Sequence, residues 1–176
     1  MKRKQLVDLI IAIFLILTGC SLLVFPLVNF LNVKNIFLGV LIIYAILNFI
    51  KFLLTFKSKD YEGLLTFLAS VVTMIVALKV DISLKPWNLA ITLFVWIIMM
   101  SLIKLKKSDY YNDRNSKMWI IKIANLILFI VAGILATINL YYTVDIQILV
   151  LGFFFFINGI LELVDPLANY ILDEKK

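Results

Sequence analysis

The stretch N-I-F-L-G-V-L-I-I-Y-A-I-L-N-F-I-K-F-L-L-T-F, residues 35–56, decides the fold. Its one charge is Lys51. At about 1.5 Å per residue a helix of this length reaches about 33 Å, enough to cross the hydrocarbon core of a bilayer. The run is continuously apolar and lacks the two-residue alternation of a barrel strand. A helix satisfies its backbone hydrogen bonds internally, as lipid requires.

Five further apolar runs flank it, at 6–25, 63–80, 86–103, 118–140 and 146–165. Across 176 residues, 64% are hydrophobic and the mean hydropathy is +1.07. Soluble domains run nearer 45–50% apolar, and a globule this small has too little interior to hide the excess. The expected fold is an all-α integral membrane protein, a single membrane domain over 1–176 with six transmembrane helices. Short breaks pair the helices into three helical hairpins, about 5–56, 62–104 and 118–166. A cytoplasmic loop at about 105–117 and a short tail at 167–176 complete the expected layout.

Lysine and arginine set the direction. Fourteen of the seventeen fall at the amino end, in the second and fourth loops and at the carboxyl end; only Lys34, Lys79 and Lys85 fall on the other side. Both termini are therefore expected in the cytoplasm, with the chain in the cytoplasmic membrane. The net charge of +6 then reflects topology and attraction to anionic lipid head groups. The basic segment 104–117 reads as membrane anchoring, so lipids and not nucleic acid are the expected partner. A homo-oligomer or a larger membrane complex is compatible with the sequence. Trp87, Trp119, Tyr141 and Tyr142 sit where an aromatic belt belongs, and Pro26 and Pro86 border outer loops.

Several chemistries are absent. There is no histidine, which removes His-based metal sites and Ser-His-Asp triads. One cysteine, Cys20, forms no intrachain disulfide. No phosphate-binding glycine motif occurs. No enzyme activity, cofactor or metal is expected. The segment Leu17-Thr18-Gly19-Cys20 has the look of a lipoprotein cleavage box. Asp8 interrupts the apolar core before it, however, and Ser21 to Phe25 stay mostly apolar after it. The first span is expected to remain.

The first and third hairpins correspond at an offset of 114 residues: Gly19 falls on Gly133, Asp8 on Lys122, Asn48 on Glu162 and Lys51 on Asp165, with Gly39 one residue from the position of Gly152. The sign is opposite at both positions charged in each copy. The middle hairpin lacks these marks. Helical spacing gathers small and polar residues on one face of spans 1, 2, 5 and 6, so those four spans are the expected contact set. Gly19, Gly39, Gly133, Gly152 and Gly159 are the candidate packing glycines.

Asp8, Asn48, Lys51, Lys122, Asn125 and Glu162 all fall in the cytoplasmic third of their spans. A lone charge at the bilayer centre costs about 2.5–3.5 kcal/mol, so the acids are expected to pair with Lys51 and Lys122. Two readings follow. In one the lysines snorkel to head groups and the cluster is structural. In the other the cluster lines a wetted vestibule that takes a proton or small solute.

L-T-G-C-S-L-L-V-F-P (17–26) followed by I-F-L-G-V-L-I-I-Y-A-I-L-N-F-I (36–50) resembles the repeat of the HdeD-like acid-resistance membrane proteins. A-G-I-L-A-T-I-N (132–139) and L-G-F-F-F-F-I-N-G-I (151–160) repeat it more weakly. The resemblance covers about two thirds of the chain and implies a six-span, short-repeat protein, with a link to acid stress in one branch. It carries over no catalytic residue. The expected function is that of a multi-pass membrane protein of envelope or acid-stress physiology. A small-solute or proton transporter and a membrane-complex scaffold are the alternatives.

Overall fold

Inside a bilayer a peptide group can bond only to protein, so each apolar run closes its hydrogen bonds as a helix. The computed structural model describes residues 3–24, 33–58, 60–80, 86–113, 118–142 and 146–173. Within them lie α1 (Arg3–Val24), α2 (Val33–Thr55), a 3-10 turn (Phe56–Ser58), α3 (Glu62–Val80), α4 (Pro86–Asn112), α5 (Met118–Tyr142) and α6 (Gln147–Asp173). All six helices are long and apolar enough to cross a membrane, and the chain is a multi-pass membrane protein. Pro26, Lys85, Lys2, Arg114, Lys117, Lys175 and Lys176 lie outside the described residues, as do the side chains of Asp165, Tyr141 and Tyr142.

Local chemistry marks several helix ends. Pro86 opens α4, where its missing N–H costs nothing. Glu62 lies in the first turn of α3, where a carboxylate suits the helix dipole. The Asp60 carboxylate accepts from the Glu62 backbone N–H at 3.1 Å, and the Thr55 hydroxyl donates to the Asp60 carbonyl at 3.1 Å. These two bonds tie the end of α2 to the start of α3.

Two boundaries differ from the sequence reading. The basic segment after residue 104 is helical through Asn112, so α4 runs through most of the expected loop. That segment has no glycine or proline to stop it, and Ser108 on it is buried. Likewise α6 passes through Pro166 to Asp173. Pro166 removes one intrahelical bond, yet the helix continues into the expected tail.

The helices form a ring. Each packs against its neighbours in chain order, and α6 closes back on α1 over the most extensive interface. The middle pair is therefore an integral part of the contact set expected for spans 1, 2, 5 and 6 alone. Three interfaces depend on glycine. A Cβ at Gly19 would lie 2.7 Å from the Gly152 carbonyl oxygen, and one at Gly159 would lie 2.7 Å from the Ile16 backbone nitrogen, so α1 and α6 touch backbone to backbone. Gly133 faces the Ile97 side chain of α4. At Gly63, not singled out in the sequence, a Cβ would lie 2.6 Å from the Asn48 carbonyl oxygen of α2. At Gly39 a Cβ would meet nothing within 4 Å among the described residues. Outside the ring Leu17, Ile46, Leu68, Leu102 and Leu128 are exposed, a surface suited to lipid. Inside it, Leu15, Leu41, Leu93, Phe129 and Leu151 are fully buried.

Candidate functional site

The charged side chains converge at one end of the ring. Lys4 near the start of α1 pairs with Asp60 and, at 3.3 Å, with Glu62 at the start of α3. Lys51, near the end of α2, lies 2.7 Å from Asp8 of α1 and 3.1 Å from Glu62. Lys107 of α4 reaches Glu62 at 2.6 Å, and Lys104 reaches Glu162 of α6 at 2.6 Å. The starts of α1 and α3 thus meet the ends of α2 and α4. Glu62 receives three lysines, from α1, α2 and α4.

These groups surround an interior cavity lined by all six helices. Its polar wall is Tyr44, Asn48 and Lys51 of α2, Glu62 and Thr66 of α3, Lys104 and Lys107 of α4, Lys122 and Asn125 of α5, and Glu162 of α6. Ile11 of α1, Met100 and Ile103 complete it. The space open to the centre of a water molecule is about 20 Å³, room for one or two waters at roughly 10–15 Å³ each. An organic solute does not fit without rearrangement. The carboxylate side chains keep contact with the surroundings: Asp8, Glu162 and Glu62 are 13–16% exposed.

Five of the six sequence-predicted polar residues line this chamber, and the sixth, Asp8, pairs with Lys51 at its edge. Their pairing differs from the simple expectation. Asp8 does meet Lys51, but Glu162 is engaged by Lys104. Nor do the lysines snorkel, for Lys51 and Lys122 are only 3% and 4% exposed. Lys122 Nζ instead sits over the Tyr111 ring, 5.6 Å from its centroid. Asn125 donates across the α5–α6 interface to the Leu161 carbonyl at 2.6 Å. Asn48 donates within its own helix to the Tyr44 carbonyl at 2.9 Å.

Sequence reasoning missed Lys4, Glu62, Lys104 and Lys107. Positive-inside counting absorbed the lysines as anchors, and Glu62 looked like a loop residue. One signal could have found Lys104 and Lys107. Polar pairs three residues apart recur late in or just after each even-numbered span, at 48 and 51, 104 and 107, and 162 and 165.

The chamber ends at aromatic rings. Tyr44 meets Trp96 edge-on at 5.7 Å between centroids, and Trp96 meets Phe154 at 5.7 Å. Phe154 in turn lies 6.1 Å from Phe129. The rings come from α2, α4, α6 and α5 and form a floor beneath the charged chamber.

No protein-family model, curated protein or solved structure matches this chain. Its functional class therefore rests on its own residues: a multi-pass helical membrane protein with a buried, charged chamber.

Proposed function

We propose that this protein binds and moves protons through the charged chamber, which opens to the cytoplasm. The observation that carries the reading is a cavity of water size to which four lysines and two carboxylates are committed. Burying that many charges is costly unless each is paired, and ionisable groups inside membrane spans belong by default to ion and proton pathways. The small volume favours protons or water over an organic solute. The chamber end carries the start of α1 with Lys4 and the lysine-rich ends of α2 and α4, so the positive-inside rule assigns it to the cytoplasm. On the same reading both termini are cytoplasmic and the helices form three hairpins. The HdeD-like resemblance of residues 17–50 supports a place in envelope or acid-stress physiology, with no enzymatic step.

Purified protein in liposomes, with a pH gradient and a trapped pH-sensitive dye, tests the reading. Wild type should dissipate the gradient faster than empty liposomes, and Glu62→Gln and Glu162→Gln should each slow it at least tenfold. Equal rates for wild type and both variants would overturn it.

A second reading has its own support. Glu62 receives lysines from three helices, as a clasp holding the ring shut would. In that case no flux is seen, and the same variants lose stability alone.

A further inference from the structure

The aromatic floor does not end the polar interior. Glu62 and Lys107 are paired and so fix a common level on α3 and α4. Eleven residues further into each helix, about 16 Å at 1.5 Å per residue, stand Thr73 and Trp96. On the same face of α3 as Thr66, helical spacing places Ser70 and Thr73, both fully buried. On α4, Thr92 and Asn88 follow Trp96 at successive turns and are also buried. Asn88 closes the row by donating to the Val80 carbonyl at the far end of α3, at 2.8 Å. A file of hydroxyls and amides thus extends from the chamber almost to the opposite end of the ring.

Three of these hydroxyls donate to carbonyls of their own helices: Ser70 to Thr66, Thr73 to Ala69 and Thr92 to Asn88, at 2.8–2.9 Å. Each oxygen keeps lone pairs for an incoming donor. Two deeply buried side chains, one in the floor and one a turn from it, point to such a visitor. Trp96 Nε1 and both amide atoms of Asn158 hydrogen-bond to nothing among the described residues, although each residue is only 1% exposed. Asn158 sits one turn from both Glu162, in the chamber, and Phe154, against Trp96. Buried polar groups of this kind are normally satisfied by water when protein offers no partner.

We propose that water advances from the chamber past Trp96 into the Thr73–Thr92–Asn88 file, and that the Trp96 ring is the gate. This route rests on the chamber reading and supplies its exit: a proton leaving Glu62 or Glu162 passes between α3 and α4. The α1–α6 interface, sealed by Gly19, Gly152 and Gly159, is not the path. Opening needs the Trp96 ring to swing from between Tyr44 and Phe154, which leaves the helix ring itself closed.

Silver ion, a thiol-reactive probe near water in size, tests the route in a Cys20→Ser chain. Single cysteines replace Thr66 in the chamber, Thr73 and Thr92 along the file, and Ala136, buried on α5, as a control. Silver nitrate is applied on the chamber side of sealed vesicles, and protection is read as loss of maleimide labelling after denaturation. With Trp96 present, Thr66→Cys should be protected and the Thr73 and Thr92 variants should react at least tenfold more slowly. Trp96→Ala should bring both up to the Thr66→Cys rate and leave Ala136→Cys unprotected. Trp96→Leu, closer in volume, should open partly and serves where Trp96→Ala fails to assemble. Slow reaction at both file positions in either folded variant would overturn the route, and fast reaction with Trp96 intact would overturn the gate. Failure at Thr66→Cys would count against the chamber itself.

Discussion

Lys107 donates to Glu62 across 2.6 Å, joining the C-terminal part of α4 to the first turn of α3. Lys4 and Lys51 share the same carboxylate, so one acid touches three cations, of which Lys4 and Lys51 also meet Asp60 and Asp8. Removing it leaves those cations crowded in a poorly hydrated site, which costs about 3–5 kcal/mol for buried pairs. Glu62→Ala should therefore lower the unfolding free energy in detergent by about 3 kcal/mol. Pairing it with Lys107→Met should recover part of that loss, because one of the exposed cations is gone. Equilibrium unfolding in mixed micelles checks both.

Asp8 and Lys51 touch at 2.7 Å. A double-mutant cycle of Asp8→Asn with Lys51→Met should give a coupling of about 1–2 kcal/mol, within the span seen for contacting residues. The cycle of Asp8→Asn with Lys122→Met should give less than about 0.5 kcal/mol, the additivity expected of separated sites. A larger value in the second cycle would contradict the pairing described here.

Alanine substitutions at the glycines should rank by what the new methyl group meets. At Gly19 and Gly63 it meets backbone of the neighbouring helix, which cannot step aside. At Gly133 it meets the Ile97 side chain, which has rotamers to use. At Gly39 it meets nothing, and the gain in helix propensity is about 1 kcal/mol. Thermal unfolding should show large losses for Gly19→Ala and Gly63→Ala, a smaller loss for Gly133→Ala and none for Gly39→Ala.

Sidedness is open to chemical labelling. Asn35 and Asn112 are both exposed, one at the start of α2 and the other at the end of α4. In a Cys20→Ser chain, Asn35→Cys should react with a membrane-impermeant maleimide only from outside the cell, and Asn112→Cys only in inverted vesicles. Labelling of both from one compartment would overturn the proposed topology.

How far the sequence carries depends on the kind of signal. The six spans are legible because lipid imposes length and apolarity on each helix separately, as in residues 35–56. Which helices touch is less legible. Gly19 and Gly152 signal a close contact, but Gly39 has the same local signature and no neighbour, because a small residue announces room without naming what fills it. The cluster was legible in part. Asn48, Lys51 and Glu162 stand out as polar atoms in apolar runs. Lys104 and Lys107 do not, since hydropathy falls there and a charged helical extension looks like a loop until Ser108 is seen buried behind it. The alternation of the spans already places Asp8 and Glu162 at one end; the ring closure of α6 on α1 is what no local pattern encodes.

In the proposed function, water enters a charged chamber from one side of the membrane only. Thr66 lines that chamber on α3, which makes Thr66→Cys the most direct reporter, with silver ion applied in turn to sealed vesicles of each orientation. Protection should appear when silver meets the face carrying the start of α1 and be absent from the opposite face. Protection from both faces, or from neither, would contradict the account.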